Sequence, residues 1–509
     1  MNRKIQKECE SSCEYILPDY MGDIKKLLFY RAKAIPTGKF VGEGNLEISG
    51  AVEYELLYAD TENKLTCVTA SSDYSENFAI NGDSYADSGE EAEVCSLKVR
   101  VTGPRKISMK AEVKSRLTLS EESAFDVAGD VFSDKNKAER CTRVINYAAS
   151  AFKKSGEREY AEIAERLSEV SCDEVEVLLA TGSVKISDVK ASEGKVAVIG
   201  ENIVTAILKA PDSPPFRIKK EIPFEEIVEA EGATAESVAL ADGFISSVSI
   251  GLSDDNGECV AVANVIAEYT VELIENRSAE VITDAYLTSC DTENKYCQEE
   301  YMSPVSSAVK EISLTVAADK NSLSISDAKE ILAIFSEIRS PSATVKNNGC
   351  EISGEIVSCG VACEINVDGT VSYIPFKIHS DFKENVNLSC QLPENASVEC
   401  TLLAVDCEPC MDSENITAKC SVTAKLSVFT KEKINRLSSC NTVLGETKAK
   451  KDSVITVYYP KNGEKLFDVA KRYKTTSQKI AIDNKLSETA LSSLDTAESL
   501  LGVKKLIIR

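Results

Sequence analysis

An internal repeat of about 150 residues constrains the fold of this chain more than any other feature. The sequence around Gly50 returns around Gly200 and again around Gly354, at intervals of 150 and 154 residues. The matching segments are Leu46–Ala51, Val196–Glu201 and Cys350–Glu355. Because self-similarity at a fixed period is the signature of tandem structural units, we expect three copies of one fold along the chain.

The local patterns inside each copy predict β-strands. Apolar and polar residues alternate in a run before the glycine and in a long run that ends the copy. A period of two over a dozen residues is typical of a strand with one buried face. The runs before the glycine are Leu27–Lys33, Val177–Val184 and Ile331–Ile338, and the closing runs are Ile107–Leu119, Val260–Leu273 and Ile416–Phe429. The sequence therefore predicts a mainly β chain of three β-sandwich-like repeats.

The glycine of each copy lies inside a strand pattern, which indicates a β-bulge or a close backbone approach. An aromatic residue preceded by Asp or Pro follows in every copy. These aromatic residues are Tyr74, Phe224 and Phe382. We expect the glycines to serve the structure rather than a reaction.

One segment between the first two copies predicts helix. Within Lys135–Val170 apolar residues recur at helical spacing, and Gly156 divides the segment in two. We therefore place a repeat at 1–130, a helical connector at 131–172, repeats at 173–290 and 291–440, a polar linker at 441–453 and a separate tail domain at 454–509.

Charge also separates the tail from the rest. The whole chain has 58 basic and 82 acidic residues, a net charge of −24. Residues 446–509 carry 13 basic and 8 acidic residues, a net charge of +5, so the remainder carries −29. A field of that sign repels nucleic acid and anionic lipid, and we expect neither as a partner. The opposite charges of body and tail suggest self-association.

The histidine and cysteine content limits the catalytic and metal chemistry that we expect of this chain. With His379 as the single histidine, a metal site with several histidine ligands is excluded, and we expect no enzyme activity and no cofactor. The 18 cysteines occur without a secretory leader or a run of about 20 apolar residues, so we expect free thiols in the cytoplasm and no transmembrane segment. Cys407 and Cys410 form the single Cys-x-x-Cys, with three alternatives: plain thiols, cross-linking cysteines, or a weak zinc candidate.

The tail has a pattern of its own. Val454–Tyr458 is predicted to form a strand, and apolar residues from Leu466 to Tyr473 lie on one face of a helix. Thr475–Ser477 precede a second helix, and Leu506–Ile508 forms a closing strand. With its turn at Gly463 and its Asn-x-Leu step at Asn484, this βααβ pattern resembles the LysM domain.

The LysM resemblance implies a binding groove between the turn after the first strand and the loop before the last. The implied partner- or glycan-binding residues are Gly463, Glu464, Lys465, Leu466, Phe467, Asn484 and Gly502, with Lys471, Arg472 and Lys474 as steering charges. Leu466 and Phe467 are alternatively core residues. Glu464 and Lys465 replace the family's Asp and Thr, and the loop Ser487–Leu500 is long, which favours a protein ligand over a glycan.

The repeats resemble a second family. Leu-Pro-Asp-Tyr at Leu17–Tyr20, Ile222-Pro223-Phe224 and Asp284-Ala285-Tyr286 resemble elements of the SPOCS (spore-coat-associated) family. Three SPOCS-like repeats followed by a LysM domain is the layout of SipL-type spore morphogenetic proteins. The resemblance implies a non-enzymatic scaffold of coat assembly in the mother-cell cytosol, at the forespore surface. Its implied partners are the stage IV sporulation ATPase of the coat's basement layer (stage IV sporulation protein A type) and other coat proteins. The alternative is LysM-mediated binding of peptidoglycan or other N-acetylglucosamine polymers.

Overall fold

The fold is taken from a computed structural model. It describes residues 2–42, 44–80, 85–121, 130–131, 137–168, 170–211, 213–235, 237–346, 348–366, 369–388, 390–443, 455–487, 500 and 502–509. The predicted linker at 441–453 and the loop Ser487–Leu500 lie almost entirely outside the described residues. Over the described ranges the chain is mainly β, as the alternating patterns predict.

Most of the described strands belong to three sheet pairs, which we number along the chain. Sheet pair 1 consists of β1 (Asn2–Ile16), β2 (Ile24–Gly42), β3 (Asn45–Asp60), β4 (Leu65–Ala79), β5 (Tyr85–Gly103) and β6 (Lys106–Glu121). One sheet has the order β2-β3-β4 and the other β1-β6-β5. The first strand of the pair thus lies beside the last one, and apolar side chains of both sheets share a core that includes Tyr54, Tyr58, Ile107 and Met109.

Sheet pairs 2 and 3 have closely similar strand orders. Sheet pair 2 consists of β7 (Ala138–Lys154), β8 (Arg158–Leu167), β9 (Glu176–Ser192), β10 (Lys195–Lys209), β11 (Phe216–Glu229), β12 (Val238–Asp255) and β13 (Glu258–Leu287). Sheet pair 3 consists of β14 (Thr292–Asp319), β15 (Ala328–Lys346), β16 (Gly349–Ile365), β17 (Val371–Asn387), β18 (Ala396–Met411) and β19 (Asn415–Thr442). Their sheets have the orders β9-β10-β11 with β12-β13-β7, and β15-β16-β17 with β14-β19-β18; β8 also pairs with β13.

The predicted helical connector at 131–172 is wrong. Its described part forms the strands β7 and β8, with a break at Gly156, and a single 3₁₀ turn at Cys172–Glu174. β8 pairs with β13 from Leu167 opposite Cys259 to Arg158 opposite Ala267. The long strand β13 offers backbone hydrogen bonds that local periodicity does not register, and this tertiary pairing overrides a weak helical preference.

The glycine predicted at a bulge or close approach is confirmed in all three sheets. Gly50 lies opposite Tyr74, Gly200 opposite Phe224, and Gly354 opposite Phe382 on the neighbouring strand. On the other side of each glycine the register shifts by a bulge. A Cβ on Gly200 would collide with the Lys185 carbonyl and lie 2.9 Å from the Phe224 ring, which explains why a side chain is not accommodated there.

The chain divides into two compact units. Unit 1 comprises Met1–Glu122, Ala149–Glu275 and Val305–Phe429, and unit 2 comprises Ser123–Ala148, Asn276–Pro304 and Thr430–Arg509. In unit 1 the three sheet pairs meet at one apolar cluster. Its buried residues include Leu28, Leu178 and Leu332, and also Leu57, Ile207 and Val361. Each set of three stands at the same distance in sequence from its glycine, so equivalent positions of the three sheet pairs converge.

Unit 2 contains the tail, whose predicted βααβ order is found in the structure. It consists of β20 (Thr456–Tyr458), α1 (Leu466–Arg472), α2 (Ser477–Asn484) and β21 (Leu506–Ile508). β20 and β21 are antiparallel, with Val457 opposite Ile507. Thr476 caps α2 by accepting a hydrogen bond from the Lys479 amide at 3.1 Å, as expected for a threonine at this position.

Candidate functional site

Two of the predicted binding residues form the core of the tail. Leu466 and Phe467 begin α1 and are 0% and 2% exposed. They pack with Val469, Ala470 and Ile480 in one apolar cluster. Their place in the LysM-like pattern is therefore accounted for by packing, as in the alternative that these two residues belong to the core.

That core extends from the tail to the end of β13. The Phe467 ring meets the Tyr286 ring edge to face, with centroids 5.2 Å apart and an interplanar angle of 70°. The hydroxyl of Tyr286 donates to the carbonyl of Thr475 at 2.7 Å, and Tyr286 is 2% exposed. Cys141 of β7 is buried in the same cluster. Within unit 2, the tail is thus packed against residues of β7 and β13.

Two of the predicted steering charges are neutralised inside unit 2. Lys471 Nζ lies 2.5 Å from Asp284 Oδ2, and Lys474 Nζ lies 2.6 Å from Asp291 Oδ1. The Lys471 pair is only partly exposed, with 33% and 23% of the two side chains accessible. Lys471 therefore ties the tail to the end of β13, whereas the Lys474 pair is exposed, with 38% and 78% of its side chains accessible.

Glu464 and Arg472 fasten the turn after β20. Glu464 accepts hydrogen bonds from the Tyr458 hydroxyl at 2.7 Å and from the Lys461 amide at 3.0 Å, and it pairs with Arg472 at 2.9 Å. Burial tends to raise the pKa of Glu464, but these three donors outweigh it and hold the pKa below its ordinary value. The turn itself needs Gly463, whose φ of +83° lies in the left-handed region.

The remaining predicted residues divide between structural and exposed positions. Asn484 donates from Nδ2 to the Ile507 carbonyl at 2.7 Å and accepts from the Ile507 amide at 2.6 Å, which ties α2 to β21. Gly502 has a φ of +77° and precedes β21. Lys465 is exposed at the start of α1. The opposite wall of the predicted groove, at 488–499, lies outside the described residues.

Sequence reasoning missed an apolar stripe on the outer face of β20. Ile455, Val457 and Tyr459 are 61%, 52% and 68% exposed, and they alternate with the more buried Thr456 and Tyr458. We call these three residues the β20 stripe. Because four of the five residues in this run are apolar or aromatic, alternation in the sequence cannot tell the solvent face from the core face.

The weak zinc candidate is not supported by the geometry of β18. Residues three apart on a strand point to opposite faces, and Cys407 is buried while Cys410 is exposed. Among the residues that the structure describes, no group of three or more His, Cys, Asp or Glu side chains is placed to hold a metal ion. His379 is half exposed and lies 2.7 Å from Glu355 Oε1, an ordinary surface pair.

Comparison with known proteins bears on the repeats. Residues 175–253, which run from the start of β9 almost to the end of β12, match the family model described as SipL, SPOCS domain. This match supports a SPOCS-type domain in sheet pair 2 and suggests a sporulation-related protein. Searches of curated proteins and of solved structures each return no match. No helix in the described part of the chain is long and apolar enough to cross a membrane.

Proposed function

We propose that this chain is a non-enzymatic scaffold of spore-coat assembly that works in the mother-cell cytosol at the forespore surface. Its C-terminal module is a LysM domain that docks onto the stage IV sporulation ATPase of the coat's basement layer. The observation that carries the proposal is the match of residues 175–253 to the SPOCS domain of SipL.

The arrangement of strands supports three SPOCS-like repeats rather than one. The matched segment includes the sheet β9-β10-β11, and sheets of the same order occur as β2-β3-β4 and β15-β16-β17. In each sheet the middle strand carries a glycine beside a bulge, and an aromatic residue on the neighbouring strand lies opposite that glycine. A recurring device of this kind is expected of copies that share one fold.

The β20 stripe supports a protein partner for the tail. Val457 lies on a short strand that is fixed by its pairing with β21, and Ile455 and Tyr459 flank that strand with their large side chains also exposed. Exposed apolar patches on a rigid element are typical of protein interfaces, and tyrosine is enriched among residues that contribute most to binding. The proposal therefore assigns the ATPase to this stripe instead of to Lys471 and Lys474.

The glycan alternative has less support in the groove. The carboxylate of Glu464 is engaged by Tyr458, Lys461 and Arg472, all within the tail. Sugar recognition depends on polar groups that are free to hydrogen-bond with hydroxyls. A carboxylate that already accepts from three donors within the tail is better suited to stabilising the turn than to binding a sugar.

Localisation in sporulating cells tests the proposed function. The full chain fused to a fluorescent protein is expected to encircle the forespore in cells that make the coat ATPase, and to be diffuse in cells that lack it. A fusion that encircles the forespore equally in both strains would contradict ATPase docking. Binding of N-acetylglucosamine oligomers by the full chain, measured by calorimetry, would favour the glycan alternative.

A further inference from the structure

The core of sheet pair 3 contains two thiols in direct contact. Cys407 of β18 and Cys420 of β19 have sulfur atoms 3.0 Å apart. Both are buried, at 6% and 0% exposure, within the apolar cluster that fills this sheet pair. Two neutral thiols gain little from such proximity in an apolar core, so the arrangement calls for a chemical explanation.

The strand register places the two cysteines at a site suited to a disulfide. The β18–β19 hairpin closes with the Asp412 amide donating to the Asn415 carbonyl at 3.0 Å. β18 lies beside β19, and in a regular antiparallel ladder five residues from this pair on each strand Cys407 stands opposite Cys420 at a non-hydrogen-bonded position. Cα atoms at such positions are about 4.5 Å apart, inside the range of roughly 4.4–6.8 Å that disulfides span.

Two serines surround the sulfur atoms. Ser336 Oγ lies 3.1 Å from Cys407 Sγ and 3.2 Å from Cys420 Sγ, and Ser336 and Ser358 share a hydrogen bond of 2.7 Å. Hydrogen bonding by the Cys407 thiol outweighs burial and, helped by Ser336 and Ser358, lowers the pKa of Cys420. A thiolate is the reactive form of cysteine, so Cys420 is the better nucleophile of the two.

We propose that Cys407 and Cys420 are a modification site at which hydrogen peroxide forms an intrachain disulfide. The Cys420 thiolate attacks one peroxide oxygen, the O–O bond breaks, and the departing hydroxide takes up a proton to leave as water. The sulfur of Cys407 then attacks the resulting sulfenic acid at Cys420, the S–O bond breaks, and the Cys407 proton leaves with the hydroxyl as a second water. Two thiols are oxidised and one peroxide is reduced to two waters.

The neighbouring Cys410 provides an internal comparison. It lies on the opposite face of β18 and is exposed, so it is easier for an oxidant to reach but is turned away from Cys420. If exposure decided the chemistry, Cys410 would be oxidised first and would link to other chains. If geometry decides it, the bond forms between the two buried sulfurs and closes a loop of 12 residues, 408–419.

Peptide mapping of the full chain tests the proposal. The reduced protein is treated with hydrogen peroxide, free thiols are alkylated, and the chain is cut with trypsin and Asp-N. Cleavage before Asp406 and Asp412 and after Lys419 and Lys425 separates Asp406–Met411 from Cys420–Lys425. The expected product is these two peptides joined by a bond that a phosphine reductant reverses. Recovery of Cys420–Lys425 unlinked, or with its sulfur as sulfinic acid, would overturn the proposal.

Three variants sharpen the assignment. Cys410→Ser is expected to retain the linked peptides, which identifies Cys407 as the partner, whereas Cys407→Ser is expected to lose them. Ser336→Ala is expected to slow their formation by removing the hydroxyl shared by both sulfurs. A linked product that survives in Cys407→Ser but is lost in Cys410→Ser would contradict the assignment. Because Cys410 is exposed, the mapping of Cys410→Ser decides the outcome even where a core variant does not fold.

Discussion

Phe467 of α1 packs edge to face against Tyr286 of β13, with ring centroids 5.2 Å apart. The two residues are 181 positions apart in sequence, and both are at most 2% exposed. The contact joins the tail to the end of β13 within unit 2. Removal of 454–509 would therefore expose Tyr286 and Cys141, so point variants of the full chain test the tail more cleanly than a deletion.

The Tyr286 hydroxyl gives a first prediction. Tyr286→Phe keeps the ring contact with Phe467 and removes the hydroxyl that donates to the Thr475 carbonyl. We expect a loss of about 1 kcal/mol in the local stability of α1, the usual net value of a neutral hydrogen bond. Hydrogen exchange of the α1 amides measures it. Tyr20→Phe, at a residue that is 82% exposed, is the control and should leave that exchange unchanged.

Glu464 predicts a pH dependence of the tail. Its pKa is lowered in the folded chain, so its ionised form stabilises the fold above the unfolded pKa of about 4.3. That contribution is lost as the pH falls through the lower folded value. Glu464→Gln removes hydrogen bonds to a charged group, so it should destabilise the tail by roughly 1–3 kcal/mol at pH 7. That destabilisation should become smaller below about pH 4, where Glu464 is itself protonated. The same destabilisation of α1 at pH 3 and at pH 7 would show that the charge of Glu464 is not involved.

Gly200 predicts a steric penalty in sheet pair 2. A methyl group there meets the Lys185 carbonyl and the Phe224 ring, so Gly200→Ala should cost about 1–3 kcal/mol through strand displacement. Denaturant unfolding of the full chain, followed by far-ultraviolet circular dichroism, gives the shift in midpoint. Gly156→Ala, whose methyl would find only the Arg158 guanidinium at 3.6 Å, should leave the midpoint nearly unchanged.

The ion pairs of Lys219 join sheet pair 2 to sheet pair 3, and we expect them to contribute to the stability of unit 1. Lys219 Nζ lies 2.6 Å from Asp406 and 3.3 Å from Glu408, and Asp406 is only 15% exposed. Lys219→Met leaves Asp406 partly buried without its nearest cation, which should cost about 1–3 kcal/mol in unit 1. The matched variant Lys190→Met breaks an exposed pair with Asp188 and should leave the stability nearly unchanged. Equal losses in the two variants would mean that burial of the pair makes no difference.

Strands were predictable because alternation is a local signal. The closing runs fall within β6, β13 and β19, and the bulges opposite Gly50, Gly200 and Gly354 follow from glycine inside a strand pattern. The segment 138–167 was not predictable in this way. Its apolar residues fit helical spacing, and only its pairing with the distant β13 makes it strand.

The candidate site was predictable in outline and not in detail. The LysM pattern locates the turn, helices and strands of the tail, but its most characteristic residues, such as Phe467 and Asn484, serve the core and the strand ends. The partners of Lys471 and Lys474 lie about 185 residues earlier, so no local pattern predicts them. The exposed face of β20 depends on which side the helices cover, which is a property of the folded module.

Binding of the purified full chain to the purified coat ATPase shows whether the tail docks through the β20 stripe. Val457→Glu places a charge in the middle of the β20 stripe, and Val144→Glu places one on a valine of β7 that is 64% exposed. We expect the dissociation constant of Val457→Glu to be at least tenfold larger than that of the unsubstituted chain, and that of Val144→Glu to be nearly unchanged. Both variants should have the melting temperature of the unsubstituted chain. Unchanged affinity of Val457→Glu, or equal losses in both variants, would contradict docking through the β20 stripe.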